Sequence, residues 1–98
     1  MNKEEIVSWL SKYKITKYTI DDNLVVDVDE YVWLRSKNLT SLPFQFGIVH
    51  GYFSCHHNQL TSLEHCPKVV KGNFDCDEHL KQDIRYLRHS LAKQLQAL

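Results

Sequence analysis

Cys55, His56 and His57 stand side by side after Tyr52-Phe53-Ser54, and thiol and imidazole are side chains that bind metals or pair as nucleophile and base. A structural zinc site needs four ligands converging at about 2.0–2.3 Å, usually from C-x2-C or H-x3-H pairs. None of Cys55, Cys66, Cys76, His50, His56, His57, His65 or His79 is so paired. A nucleophilic cysteine needs an exposed, activated thiolate. Alternation along a strand turns Phe53 and Cys55 inward and Ser54 and His56 outward, so Cys55 and His56 do not easily hold one ion. The expectation is no catalytic residue, no metal and no cofactor, with buried cysteines acting as small hydrophobes. Cys66, before Pro67, is expected to be partly exposed.

The elements that position these residues follow from a repeat. Gly51-Tyr-Phe53-Ser-Cys55 falls on Gly72-Asn-Phe74-Asp-Cys76, Leu39-Thr40-Ser41-Leu42 on Leu60-Thr61-Ser62-Leu63, and Ile48-Val49 on Val69-Val70, each displaced by 21 residues. One step back, Tyr31-Val32-Trp33-Leu34 falls on Tyr52-Phe53-Ser54-Cys55. Periods of 20–29 residues with an L-x-L-x-x-N-x-L core mark leucine-rich repeats, whose units stack because none buries its apolar side alone. The core reads Val32-x-Leu34-x-x-Lys37-x-Leu39, then Phe53-x-Cys55-x-x-Asn58-x-Leu60, then Phe74-x-Cys76-x-x-His79. Stacking places Cys55 over Cys76 in the column of Leu34. Asn58 is the expected ladder residue between coils, with Lys37 and His79 in its place elsewhere.

The stretches NLTSLPFQF and GYFSCHHNQLTSLEHCPKVVKGNFDC resemble the short leucine-rich-repeat proteins of tailed bacteriophages, and ITKYTIDDNLVVDVDEYVWL resembles their lead-in. The likeness spans residues 12 to 79. The array here is short, and its last unit gives way to a helical pattern. The resemblance implies a repeat scaffold of phage or bacterial origin and little chemistry. It also implies a bacterial host protein or complex as partner, a defence complex of CRISPR type among them.

Two ends of such a stack need covering. Asn2 with Glu5 starts a helix over residues 3–14 with Ile6, Trp9, Leu10 and Tyr13 on one face, and a hairpin follows around Asp21-Asp22-Asn23. At the other end Asp77 or Glu78 begins a helix with Leu80, Ile84, Leu87, Leu91 and Leu95 as its apolar stripe. The fold class is α+β: a short leucine-rich-repeat-like β-solenoid of about three parallel strands, with a helix-and-hairpin cap and a C-terminal amphipathic cap. It forms one domain, with the first cap over 1–30, the coils over 31–78 and the second cap over 79–98.

Composition narrows the function. The 98 residues carry 12 basic and 12 acidic side chains, so the domain-wide basic excess of a nucleic-acid binder is absent. Residues 1–30 hold four basic and seven acidic groups, giving a mild asymmetry against the remainder. No apolar run spans a membrane and the acidic start is unlike a secretory signal; with three cysteines these point to a reducing cytoplasm, which the phage resemblance implies is that of a bacterial host cell.

The outward strand positions are Tyr31, Trp33 and Arg35, then Tyr52, Ser54 and His56, then Asn73, Asp75 and Asp77. Tyr, Trp and Arg are enriched in binding hot spots. That face is the expected site of a non-enzymatic protein-binding module, unless the N-terminal cap folds over Trp33 and makes it core. The rivals are a metal- or thiol-dependent enzyme and a nucleic-acid binder through the basic helix face of Lys81, Arg85 and Arg88. The helix stripe also has the spacing for homodimer pairing.

Overall fold

The structure, a computed structural model, describes residues 1–82, with side chains as far as Leu80. Helix α1 spans Lys3–Lys12. Asn2 Oδ1 accepts the Glu5 N–H at 2.9 Å and Glu5 Oε1 accepts the Asn2 N–H at 3.0 Å, closing a capping box. The helix stops because Lys14 turns left-handed at φ 62°. Its N–H then donates to Ser11 O at 3.0 Å, while the Ile15 N–H reaches Leu10 O at 2.9 Å. This is a Schellman ending with lysine at the position that favours glycine, and Ile15 is buried beyond it.

The hairpin joins β1 (Tyr18–Ile20) to β2 (Val26–Val28) antiparallel, with Tyr18 opposite Val28. Asp21 Oδ1 holds its turn by accepting the N–H groups of Asn23 and Val25, both at 2.9 Å. Then follow β3 (Val32–Trp33), β4 (Phe46–Val49), β5 (Phe53–Ser54), β6 (Val69–Val70) and β7 (Phe74–Asp75).

Two sheets result, in the orders β1-β2-β4-β6 and β3-β5-β7. Val32 lies opposite Phe53 and Phe53 opposite Phe74 in the second sheet, and Ile48 opposite Val69 in the first, all parallel. Each of these pairs joins residues 21 apart, the period of the sequence. The segment Phe46–Val49 and its partner are therefore a second set of ladder strands, where the sequence suggested connecting arcs.

The apolar residues of both sheets meet in one core. Phe46 meets Phe53 edge-on at 5.3 Å, and Phe53 stacks on Phe74 at 5.6 Å. Helix α1 closes one end, with Trp9 against Phe44 at 5.1 Å. Leu80, in the 3-10 turn Glu78–Gln82, is buried at the other. The Asp77 side chain faces the preceding coil, and its carbonyl accepts the Leu80 N–H at 3.0 Å. The remainder of the expected C-terminal helix, with Arg85, Arg88 and the homodimer stripe, lies outside the described residues.

The backbone segments approach closely where Gly51 and Gly72 face each other. A Cβ on Gly51 would sit 2.7 Å from Tyr31 N, and one on Gly72 2.8 Å from Tyr52 N. Only glycine lets the Gly72 N–H reach Gly51 O at 3.0 Å without moving backbone. Among the described residues no helix is long and apolar enough to cross a membrane.

Candidate functional site

The thiols lie on the core side. Cys55, Cys66 and Cys76 are all free and buried, and burial followed by the neighbouring Cys76 pushes the Cys55 thiol far above its ordinary range. A thiol so placed is inert as a nucleophile. Cys66, expected to be partly exposed, is 5% exposed, because its arc turns inward beside Leu63 and donates its N–H to the Leu63 carbonyl at 3.0 Å.

Asn58 ties the segment after β5 to the one after β3. Its Oδ1 accepts the Lys37 N–H at 2.9 Å and the Leu39 N–H at 3.1 Å, and its Nδ2 donates to Leu34 O at 2.6 Å and Cys55 O at 3.0 Å. In the next coil His79 takes the equivalent place, its Nε2 3.0 Å from Leu60 O. Both residues satisfy backbone groups.

On the outer side of β3-β5-β7 the aromatic residues stay in solvent. Tyr31 is 53% exposed, Trp33 45% and Tyr52 36%, so the N-terminal cap leaves Trp33 uncovered. Tyr31 stacks on Tyr52 at 4.9 Å, Trp33 meets Tyr52 edge-on at 6.0 Å, and the Arg35 guanidinium lies 5.3 Å from the Trp33 ring. Fixed rings of this kind enter an interface with little ordering left to lose.

Two grooves share Trp33 and Tyr52. The larger, about 510 Å³, is lined also by Lys12, Tyr13, Lys14, Ile15, Tyr31 and Lys37. The smaller, about 370 Å³, adds Ser54, Asn73 and Asp75. The aromatic patch is therefore basic on one flank and acidic on the other. The flanking lysines escape a reading of strand positions because one ends α1, one lies just beyond it and one comes from a turn.

Ser54, expected among the outward binding residues, is 2% exposed. Its hydroxyl donates to Asp75 Oδ2 at 3.0 Å and its neighbours cover it, which removes it from direct contact with a partner. His56 brings its Nδ1 to 3.1 Å from Asp75 Oδ1 and its Nε2 to 3.3 Å from Asp77 Oδ1. Serine, aspartate and histidine thus touch in the order Ser54-Asp75-His56. The hydroxyl has no contact with imidazole and is buried, so the nucleophile–base pair of a serine hydrolase is not formed.

His57 adopts φ 60°, which breaks the strand alternation and lays its ring on that of His56, 4.4 Å between centroids and 9° from parallel. Partial burial pushes the Asp77 carboxyl upward, yet the His57 N–H at 3.0 Å, the nearby Asn58 N–H and the rings of His56 and His57 hold it below the ordinary carboxylate range. Asp77 Oδ2 is buried with no well-formed hydrogen bond among the described residues. His57 was not among the outward residues picked from the sequence. Histidine is among the residues that tolerate this conformation, but nothing in its spacing marks which histidine adopts it.

Comparison with protein-family models, curated proteins and solved structures returns no match to this chain.

Proposed function

We propose that the chain is a non-enzymatic protein-binding module built on leucine-rich-repeat-like coils, and that it engages its partner through the aromatic patch of Tyr31, Trp33 and Tyr52. The observation that carries this reading is Trp33, 45% exposed beside two stacked tyrosines and under Arg35. An exposed aromatic cluster of this kind favours a partner that covers it. The two grooves favour an extended segment with acidic groups toward Lys12, Lys14 and Lys37 and basic groups toward Asp75. The resemblance to phage repeat proteins directs the search to a bacterial host protein, defence complexes included.

A second reading, single-stranded nucleic acid, draws on the same rings and lysines, since bases stack on aromatic faces above a basic groove. Asp75 and Asp77 on the continuing face repel phosphate, and the chain has no net charge, so the protein partner is preferred. The test is affinity capture from host lysate with the parent, Trp33→Ala and Tyr52→Ala in parallel. A partner held by the parent and weakened at least about thirtyfold by Trp33→Ala, the loss of a hot-spot residue, is expected. Identical recovery by parent and variants, or salt-sensitive retention on single-stranded DNA or RNA in place of protein, would overturn the protein-binding reading.

A further inference from the structure

The His56, His57 and Asp77 cluster lies at the acidic end of the same face but owes nothing to the aromatic patch. We infer that these three side chains form a binding site for one divalent transition-metal ion, zinc by ligand chemistry, with coordination positions left open on the exposed His57 side.

The geometry supplies three donors from two coils. One ligand atom from each of His56, His57 and Asp77 lies within 4.8 Å of the other two. In a tetrahedral zinc site with Zn–N near 2.0–2.1 Å, neighbouring donor atoms are roughly 3.3 Å apart. His56 Nε2 and Asp77 Oδ1 already stand at 3.3 Å, so closure requires only rotation of the exposed His57 ring. The left-handed backbone at His57 makes this work, because adjacent residues on a regular strand would face opposite ways.

The surroundings match those of a ligating histidine. Such residues donate their second ring N–H to a carboxylate, which fixes the ring and raises the basicity of the ligating nitrogen. His56 presents Nδ1 to Asp75 Oδ1 at 3.1 Å while Nε2 faces Asp77. Ser54 in turn anchors Asp75 Oδ2 at 3.0 Å. Asp77 Oδ1, which faces His56 Nε2 at 3.3 Å, is the carboxylate oxygen offered to the ion. Two imidazoles with one carboxylate suit zinc, cobalt, nickel or copper and are a poor set for calcium or magnesium. The cysteines take no part, since Cys55 and Cys76 point into the core.

The experiment is calorimetric titration of the full chain with zinc chloride under reducing conditions, with cobalt(II) absorption reporting ligand type. One ion per chain is expected, with cobalt bands of nitrogen and oxygen ligation and no thiolate-to-cobalt charge transfer. His57→Asn keeps a residue that tolerates the left-handed backbone, so it folds, and it should weaken binding at least about tenfold. Asp75→Asn should weaken it about 10- to 100-fold, as expected of a second ring-nitrogen partner. A joint His50→Ala, His65→Ala variant should bind like the parent. The site is refuted by absence of one-to-one binding, by thiolate charge transfer, or by an affinity that His57→Asn leaves unchanged.

Discussion

The sheets β2-β4-β6 and β3-β5-β7 share one period and one core, but their outward positions differ. On the first, Asp27 Oδ1 accepts the Ile48 N–H at 2.8 Å and sits against Gly47, so an outward carboxylate is used to fasten strands. On the second, outward positions hold exposed aromatic rings at one end and a histidine–aspartate cluster at the other. The buried apolar positions are Phe and Val on both, with Leu34, Cys55 and Cys76 directly after the strands of the second. The repeat constrains what faces the core, while outward positions are free to specialise. The two sheets differ accordingly: an outward carboxylate of the first fastens strands, while the second leaves aromatic rings in solvent, the feature on which the proposed recognition rests.

That contrast can be broken from the inside first. Phe53→Ala removes a ring buried between Phe46 and Phe74 and should cost about 3–5 kcal/mol, a large share of the stability of a small domain, read by urea unfolding. Asn58→Ala leaves the N–H groups of Lys37 and Leu39 and the carbonyls of Leu34 and Cys55 without their partner, for a loss of about 3 kcal/mol.

Glu30 offers a smaller, pH-dependent effect. Its partial burial pushes the carboxyl upward, but N–H groups of Thr16 and Lys17 at 2.9 and 2.8 Å, the Thr16 hydroxyl and the Lys17 charge leave it below its ordinary value of 4.5. The unfolded chain then binds a proton before the folded chain does as pH falls. The contribution is therefore fully present above the ordinary value and is lost as pH drops through the lowered folded value. Glu30→Gln should cost about 1 kcal/mol near neutral pH and flatten the acid limb of a stability–pH curve.

Smallest of all is Trp33→Ala, which should change stability by no more than about 0.5 kcal/mol while weakening partner capture at least about thirtyfold. A large destabilisation there would mean that Trp33 belongs with Phe53 as a packing residue, and the division between inner and outer positions would fail.

Much of the fold was legible before any coordinates. Phe53 over Phe74, the capping box at Asn2 and Glu5, the hairpin at Asp21 and the ladder role of Asn58 all follow from residue type and spacing. The second parallel ladder was not, because Phe46–Val49 and Val69–Val70 are too short for alternation to identify them as strands. The basic groove was missed because it joins Lys12 at the end of α1 and Lys14 just beyond it to Lys37 from a distant turn. Ser54 looked exposed because strand parity gives direction but not what lies above a side chain.

The amino-acid order by itself determined the 21-residue period and the inward set of Phe, Val, Leu and Cys, since apolar burial and strand parity act through local spacing. Only the tertiary structure decided which outward residues meet. Asp75 and Asp77 reach His56 because parallel hydrogen bonding brings residues some twenty positions apart to neighbouring strands, and His57 joins them through one left-handed dihedral. Those distances are set by the pairing of the parallel strands, so the cluster forms only when the strands are in register.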